Sequence, residues 1–132
     1  QLYDRLLAVE GVIVAAPIYF TGVNAQTKVV IDRCQCLWAR RYVLRMPLPP
    51  TSSGLPRWGG FVSAAGAART DFSCAVGTVR AFFATLHAKY AGDVFATAAD
   101  ERGGVRARPE LLAQAFQLGV HLIERIGGSD DG

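Results

Sequence analysis

The sequence predicts an α/β domain, a parallel sheet with helices on both faces. Three observations predict it. Short apolar runs without polar alternation, such as Val12–Ala16, read as strands covered on both sides. Amphipathic helical stretches alternate with these runs in the order α-β-α-β-α-β-α. Right-handed crossovers between parallel strands then send helices to both faces.

The elements follow in order. Gln1–Val9 reads as the tail of a helix, with Leu2, Leu6 and Val9 on one stripe, and Gly11 breaks it. Val12–Ala16 is the first strand, and Pro17, with no N–H to donate, is expected to end it. Residues 17–23 read as a loop, unusual in carrying Ile18, Tyr19 and Phe20. Asn24 suits the N-cap of one helix from Ala25 to about Tyr42. Residues 47–57 form a connector with four prolines, long for an internal loop and of the kind that is often functional or mobile. Trp58–Ala65 is the second strand, running into the small-residue turn Ala64–Arg69. Asp71 caps a helix reaching about Lys89, with Phe72, Ala75, Val79, Phe82, Phe83 and Leu86 at helical spacing. Val94–Thr97 is the third strand and residues 100–104 a polar turn. Pro109 opens the last helix, whose apolar face holds Leu111, Ala115, Leu118, Leu122 and Ile126. Gly127 and Gly128 stop it, and residues 129–132 should be a flexible tail.

Composition narrows the function classes. A chain of 132 residues, 51% hydrophobic and 19% charged, is not disordered and is long enough for one core. The net charge is +3, and twelve of the fourteen cations are arginine, which reads as genomic bias before nucleic-acid binding. No apolar run approaches the ~18 residues of a membrane span, and no signal peptide opens the chain. Three cysteines, an odd number, argue for a reducing compartment, hence the cytoplasm. Cys34-x-Cys36 lacks zinc-knuckle spacing, so no metal is expected.

Ligands of parallel sheets sit beyond the carboxyl ends of strands. Both unusual loops, Pro17–Val23 and Ala64–Arg69, follow such ends and should lie side by side. Ala64, Ala65, Gly66 and Ala67 would let main-chain N–H groups approach a flat ring. Tyr19 and Phe20 offer stacking surfaces, and Arg69 a positive charge for an anionic ring or a phosphate. The same features also read as tight packing and a lid or interface. Catalytic alternatives are poorer. His87 and His121 fall in predicted helices far from these loops, where surface roles suffice. No nucleophile elbow or Walker loop is present. Cys74 reads as filling space beneath the second loop, and Asp32-Arg33 as local ion pairs or caps. Arg40, Arg41, Arg45 and Arg57 around Trp38 and Trp58 read as a solvated helix end, or as a basic aromatic patch for nucleic acid.

The run from Glu10 to Arg33 carries a specific likeness: Glu10-Gly11, an apolar strand, Ala16-Pro17, Tyr19-Phe20, Asn24-Ala25-Gln26, Lys28 and Asp32-Arg33. It resembles the NADPH-dependent FMN reductase superfamily, and within it the flavodoxin-fold iron–sulfur flavoproteins and multimeric flavodoxins. Residues 99–103 and 115–119 resemble that family's final turn and helix. The resemblance implies a flavodoxin-like sheet and an FMN-dependent oxidoreductase or electron carrier, reduced by NAD(P)H or a redox partner. It implies that Pro17, Ile18, Tyr19, Phe20, Thr21 and Gly22 meet one part of the flavin ring, and Ala64, Ala65, Gly66 and Arg69 the other. The flavin would carry the chemistry, so no catalytic side chain is expected. Where the family often has a Gly-Gly-Gln-Glu run, this sequence has Ala67-Ala68-Arg69-Thr70-Asp71.

The family's phosphate loop and cluster cysteines precede the matched region. The expectation is therefore a carboxyl-terminal part of such a domain, residues 1–128, lacking the first β-α-β unit. Its FMN binding alone should be weak or absent, and the uncovered strand edge should favour homo-oligomers. The competing reading is a binding or assembly module, or a remnant, without FMN. Nucleic-acid binding ranks below both.

Overall fold

The computed structural model describes residues 2–128; the expected tail at 129–132 and Gln1 lie outside the described residues. The elements are α1 (Leu2–Ala8), β1 (Gly11–Tyr19), β2 (Gly22–Val23), α2 (Ala25–Arg33), α3 (Gln35–Tyr42), β3 (Arg57–Ala64), α4 (Ser73–Thr85), β4 (Ala88–Ala96) and α5 (Pro109–Gly127). The sheet order is β2-β1-β3-β4. β1, β3 and β4 are parallel, and the two-residue β2 pairs antiparallel with the end of β1. This is the α/β flavodoxin-like architecture expected, with one short antiparallel addition.

Adjacent glycines in β3 reveal what covers each face. Successive Cβ positions on a strand point to opposite sides. A Cβ on Gly59 would lie 2.6 Å from the Phe83 ring of α4, whereas one on Gly60 would lie 3.4 Å from Leu118 of α5. Helices α4 and α5 therefore cover opposite faces. The main core is on the α4 side, where Phe61, Ala75, Val79 and Leu86 are fully buried and Phe83 and Cys34 nearly so. Ala16 and Ile18 of β1 join this cluster, and Tyr3, Leu6 and Leu7 of α1 pack against it.

Several sequence expectations are corrected. Pro17 does not end the first strand; it pairs in register with Ala64, and β1 continues to Tyr19. The ladder explains this. Trp58 N–H donates to Glu10 O, so even-numbered residues of β1 turn their peptide groups to β3. Pro17, odd-numbered, has its missing N–H on the opposite edge, where it costs no bond to β3. β1 is also not covered on both faces: Val14 is half-buried and Ala16 buried, but Ile13 and Ala15 are exposed. On that α5 side, Ile13, Leu112, Phe116 and Ile123 leave apolar surface open.

The helix expected over Ala25–Tyr42 is broken at Cys34, whose N–H bonds Ile31 O and whose O accepts from Leu37 N–H, a tighter-than-α turn. The break seats Cys34 and Leu37, both buried, on the core. The helix expected to reach Lys89 stops at Thr85, because His87 takes a left-handed φ of +60°. Residues 88–90 instead pair with 57–59, so the last strand starts well before Asp93. The register then slips between Gly59 and Gly60, and Gly92, at φ +148°, absorbs the bulge. The last helix is as expected, from Pro109 to Gly127.

Candidate functional site at the carboxyl rim of the sheet

β1 leaves the sheet through a two-residue hairpin. Ile18 pairs with Val23 and Tyr19 with Gly22, so Phe20 and Thr21 alone make the turn. Both have positive φ, +49° and +66°, the signature of a type I′ turn normally built from Asn and Gly. A bulky or β-branched residue there is a genuine outlier. Such conformations cost roughly 1–3 kcal/mol each and collect at functional sites. Thr21 Oγ1 donates to Phe20 O at 2.6 Å. Ile18 is buried and anchors the hairpin, while Phe20 is fully exposed and Tyr19 is 64% exposed.

The second loop, from Ala65, is pinned to the end of β4. Ala65 N–H donates to Ala96 O, while Ala65 O and Ala67 O accept from the N–H groups of Ala99 and Ala98. Arg108 holds that partner segment, donating to Thr97 O at 2.7 Å and Ala98 O at 3.2 Å. The Asp100 carboxylate occupies the space a Gly66 Cβ would take, so a side chain there would have to displace it. Among the described residues, the N–H groups of Gly66, Ala67 and Ala68 donate to no protein acceptor. Beyond them Asp71 Oδ1 accepts from Ser73 N–H and Oδ2 from Ser73 Oγ, each at 2.8 Å. Those two bonds, the backbone one foremost, hold the Asp71 carboxyl below its ordinary range.

Between the loops is a cleft of about 270 Å³. Of the ten residues singled out from the sequence, Ile18, Phe20, Thr21, Ala65, Gly66 and Arg69 line it. Pro17 and Ala64 do not. They lie on the α5 side, in a separate apolar cleft of about 420 Å³ with Val105 and Leu112. Their odd and even positions in paired strands place both on that face. Tyr19 and Gly22 also lie outside the cleft lining. Ala67, named in the sequence as part of the small-residue turn, also lines it, whereas sequence reasoning missed Thr70 and Asp71 in the lining, and Asp100 and Arg108 as supports. The position of Asp100 just past a strand's carboxyl end was the available signal.

Other expected roles change. Cys74 is exposed and fills no space under the loop. His87 is not in a helix but at the left-handed turn before β4. His121 is on α5, its Nε2 accepting from Arg125 Nε at 3.3 Å. Lys28 bridges Asp32 at 2.7 Å, the local pair expected for Asp32. The supposed basic aromatic patch is dispersed. Arg57 and Trp58 are buried at the start of β3, and Trp38 packs against Tyr42 in α3 with the rings tilted by 37°. Among the described residues no cluster of metal-ligating side chains forms, and no helix is long and apolar enough to cross a membrane.

A model of the family described as NADPH-dependent FMN reductase matches residues 1–102. The chain belongs to that family. An iron–sulfur flavoprotein of Archaeoglobus fulgidus is 45% identical over 42 residues, which are 32% of this chain and 22% of that protein. Among solved structures, a flavone reductase superposes with a TM-score of 0.63 at 17% identity, over 89% of this chain and 42% of that one. An NADH:FMN oxidoreductase in apo form also gives 0.63, at 14% identity, over 98% of this chain and 60% of that one. These structural likenesses establish the fold. The chain spans less than two thirds of the length of each of the three.

Proposed function

We propose that this chain supplies the ring-holding half of an FMN-dependent NAD(P)H oxidoreductase. The observation that carries the reading is the convergence of two loops from separate strands on one rim cleft, in a chain of the FMN reductase family. The residues fit a flavin. Main-chain donors at Gly66, Ala67 and Ala68 are uncommitted, and an isoalloxazine presents ring oxygens and nitrogens to such donors. Phe20 stands exposed at the mouth as an aromatic surface. Arg69 lines the same cleft and brings a cation to a ring that becomes anionic on reduction. FMN, when bound, supplies the hydride and electron chemistry. The chain's own part is to orient the ring, shield it from water on the loop side and bias its charge. Pro17, Tyr19, Gly22 and Ala64 buttress the hairpin and strand ends rather than touch the ring. The donor is NAD(P)H or a redox protein, and the compartment the cytoplasm.

Among the described residues no phosphate loop accompanies this cleft, so this chain by itself should hold flavin weakly. Riboflavin, the same ring without the phosphate, is the probe. Its fluorescence should be quenched saturably by the chain, and the quenching should weaken in Gly66→Val, whose side chain must displace the Asp100 carboxylate at the cleft. Absent quenching, or equal quenching by a folded Gly66→Val, would sink the reading.

The uncovered edge of β1 supports a second element of the proposal. Ladder groups of Gly11–Pro17 opposite β3 have no partner strand among the described residues, and exposed Ile13, Phe116 and Ile123 flank them. A further strand and amphipathic helix of the whole protein would cover both. Left bare, this edge should drive self-association of the chain. Sedimentation should show mass rising with concentration, and Ile13→Lys with Phe116→Lys should restore a monomer. A wild-type chain that stays monomeric at high micromolar concentration refutes this.

A further inference from the structure

The proline connector and the scattered arginines meet at the opposite end of the sheet. β3 begins there with Arg57 and ends at the rim with Ala64, a span of about 23 Å at roughly 3.3 Å per residue. An open cavity of about 590 Å³ lies against that end. Arg41 of α3, Arg57, His87 and Lys89 line it, and among the described residues no carboxylate does. Its other walls are apolar, from Leu48, Leu55 and three connector prolines.

Arg57 is the anchor. Only 6% of it is exposed. Its guanidinium donates to Leu86 O at 3.3 Å, to Pro49 O at 2.7 Å and to Leu7 O. Its Nε–H is buried without a partner, a vacancy that native structures rarely leave. The carboxylate that acts on it through space, Glu10, is bonded instead to Ser53 Oγ at 2.7 Å. Arg41 donates to Ala84 O at 3.2 Å, which fixes its head at the cavity wall. His87 is held there by its left-handed turn. Partial burial, and then the charges of Arg41 and Arg57, keep its imidazole below the ordinary range. The cavity thus gathers two arginines and the His87 imidazole, while the Lys89 ammonium lies over the Trp58 ring, 5.1 Å from its centroid.

We propose that this cavity binds a small organic phosphate, its phosphoryl group among Arg41, His87 and the Arg57 Nε–H and its body against the connector. The charge argues for phosphate over carboxylate. A phosphate monoester carries about −1.5 to −2 at neutral pH, against −1 for a carboxylate, and so matches the two arginines better. The volume and the apolar walls argue for an organic body, since small-molecule sites run to roughly 300–1,000 Å³ with mostly apolar lining. The site is independent of the flavin cleft, being at the other pole of β3.

Phenyl phosphate, inorganic phosphate and phenol separate the parts, with imidazole resonances of His87 as the readout in the chain without flavin. Phenyl phosphate should shift them saturably and raise the His87 pKa, because a dianion favours the imidazolium against Arg41 and Arg57. It should bind about tenfold tighter than inorganic phosphate through its ring, and phenol should not shift His87. Arg41→Gln should weaken binding about tenfold, the worth of one charge-assisted bond. His87→Asn keeps a residue tolerant of the left-handed turn and, followed by backbone amide shifts, should weaken it severalfold. No saturable response, an equal response to phenol, or undiminished binding by both folded variants would overturn the site. Preference for a single-stranded oligonucleotide over phenyl phosphate would overturn it as well.

Discussion

Replacing Phe61 by alanine is expected to destabilise the domain by about 3–5 kcal/mol, read as a fall in the urea midpoint. Phe61 is fully buried in the middle of β3, between Val14 of β1 and Asp93 of β4. Its ring meets Phe95 edge-on at 5.5 Å, and Phe95 stacks on Phe72 at 4.4 Å with an interplanar angle of 4°. Alanine would leave a cavity that these aromatic neighbours cannot collapse to fill, adding a void cost to the lost transfer energy. Domains of this size hold only about 5–15 kcal/mol in all, so this single truncation consumes much of the margin. Phe61→Leu, closer in volume, should cost clearly less. The effect reaches the rim, because Phe72 precedes α4 directly and closes the loop that carries Arg69 and Asp71. Riboflavin quenching should therefore weaken in Phe61→Ala even at denaturant-free, low temperature. A midpoint shift worth less than about 1 kcal/mol would mean the cluster packs more loosely than its geometry implies.

What could be read from the sequence had local causes. The spacing of Leu118 and Leu122, with Pro109 before and Gly127 after, specifies α5 without tertiary help. The apolar run and Pro-Gly punctuation place both rim loops after strands, which is why six of the ten chosen residues meet at the cleft. What could not be read depends on partners distant in sequence. Whether Pro17 ends a strand turns on which edge its nitrogen faces, and only the register with β3 decides that. His87 stops a helix in a position where glycine is the usual signal. Cys34 breaks one because the core lies beneath it, a fact absent from the helical stripe. Arg57 reads as a solvated charge beside Arg45, and only the fold surrounds it with carbonyl groups. Gly66 looks like a flexible turn residue until Asp100, far along the chain, takes the space of its side chain.

Arg57→Ala should cost about 3 kcal/mol or more and detach the connector from the sheet. One guanidinium satisfies carbonyls from three places: the end of α1 at Leu7, the connector at Pro49 and the turn after α4 at Leu86. Truncation would strand all three acceptors, each worth about 1–3 kcal/mol where water cannot replace the donor. Arg57→Lys should recover only part of this, because an ammonium lacks the rigid planar fork that spans divergent acceptors. Amide exchange should then quicken at Ser52, whose N–H bonds Ala8 O across the same seam. A parallel acid effect is expected from Glu10, whose carboxyl is held below its ordinary value of 4.5, first by the Ser53 hydroxyl and then by the Ser53 N–H. A depressed folded pKa means that this contribution is present above the unfolded value and fades as pH falls through the folded one. Acidification below about 4.5 should therefore loosen the connector first, and Glu10→Gln should remove that pH step while leaving the Arg57 contacts. If Arg57→Ala leaves both the urea midpoint and Ser52 exchange unchanged, the guanidinium does not clasp the seam, and the cavity it lines loses its fixed wall.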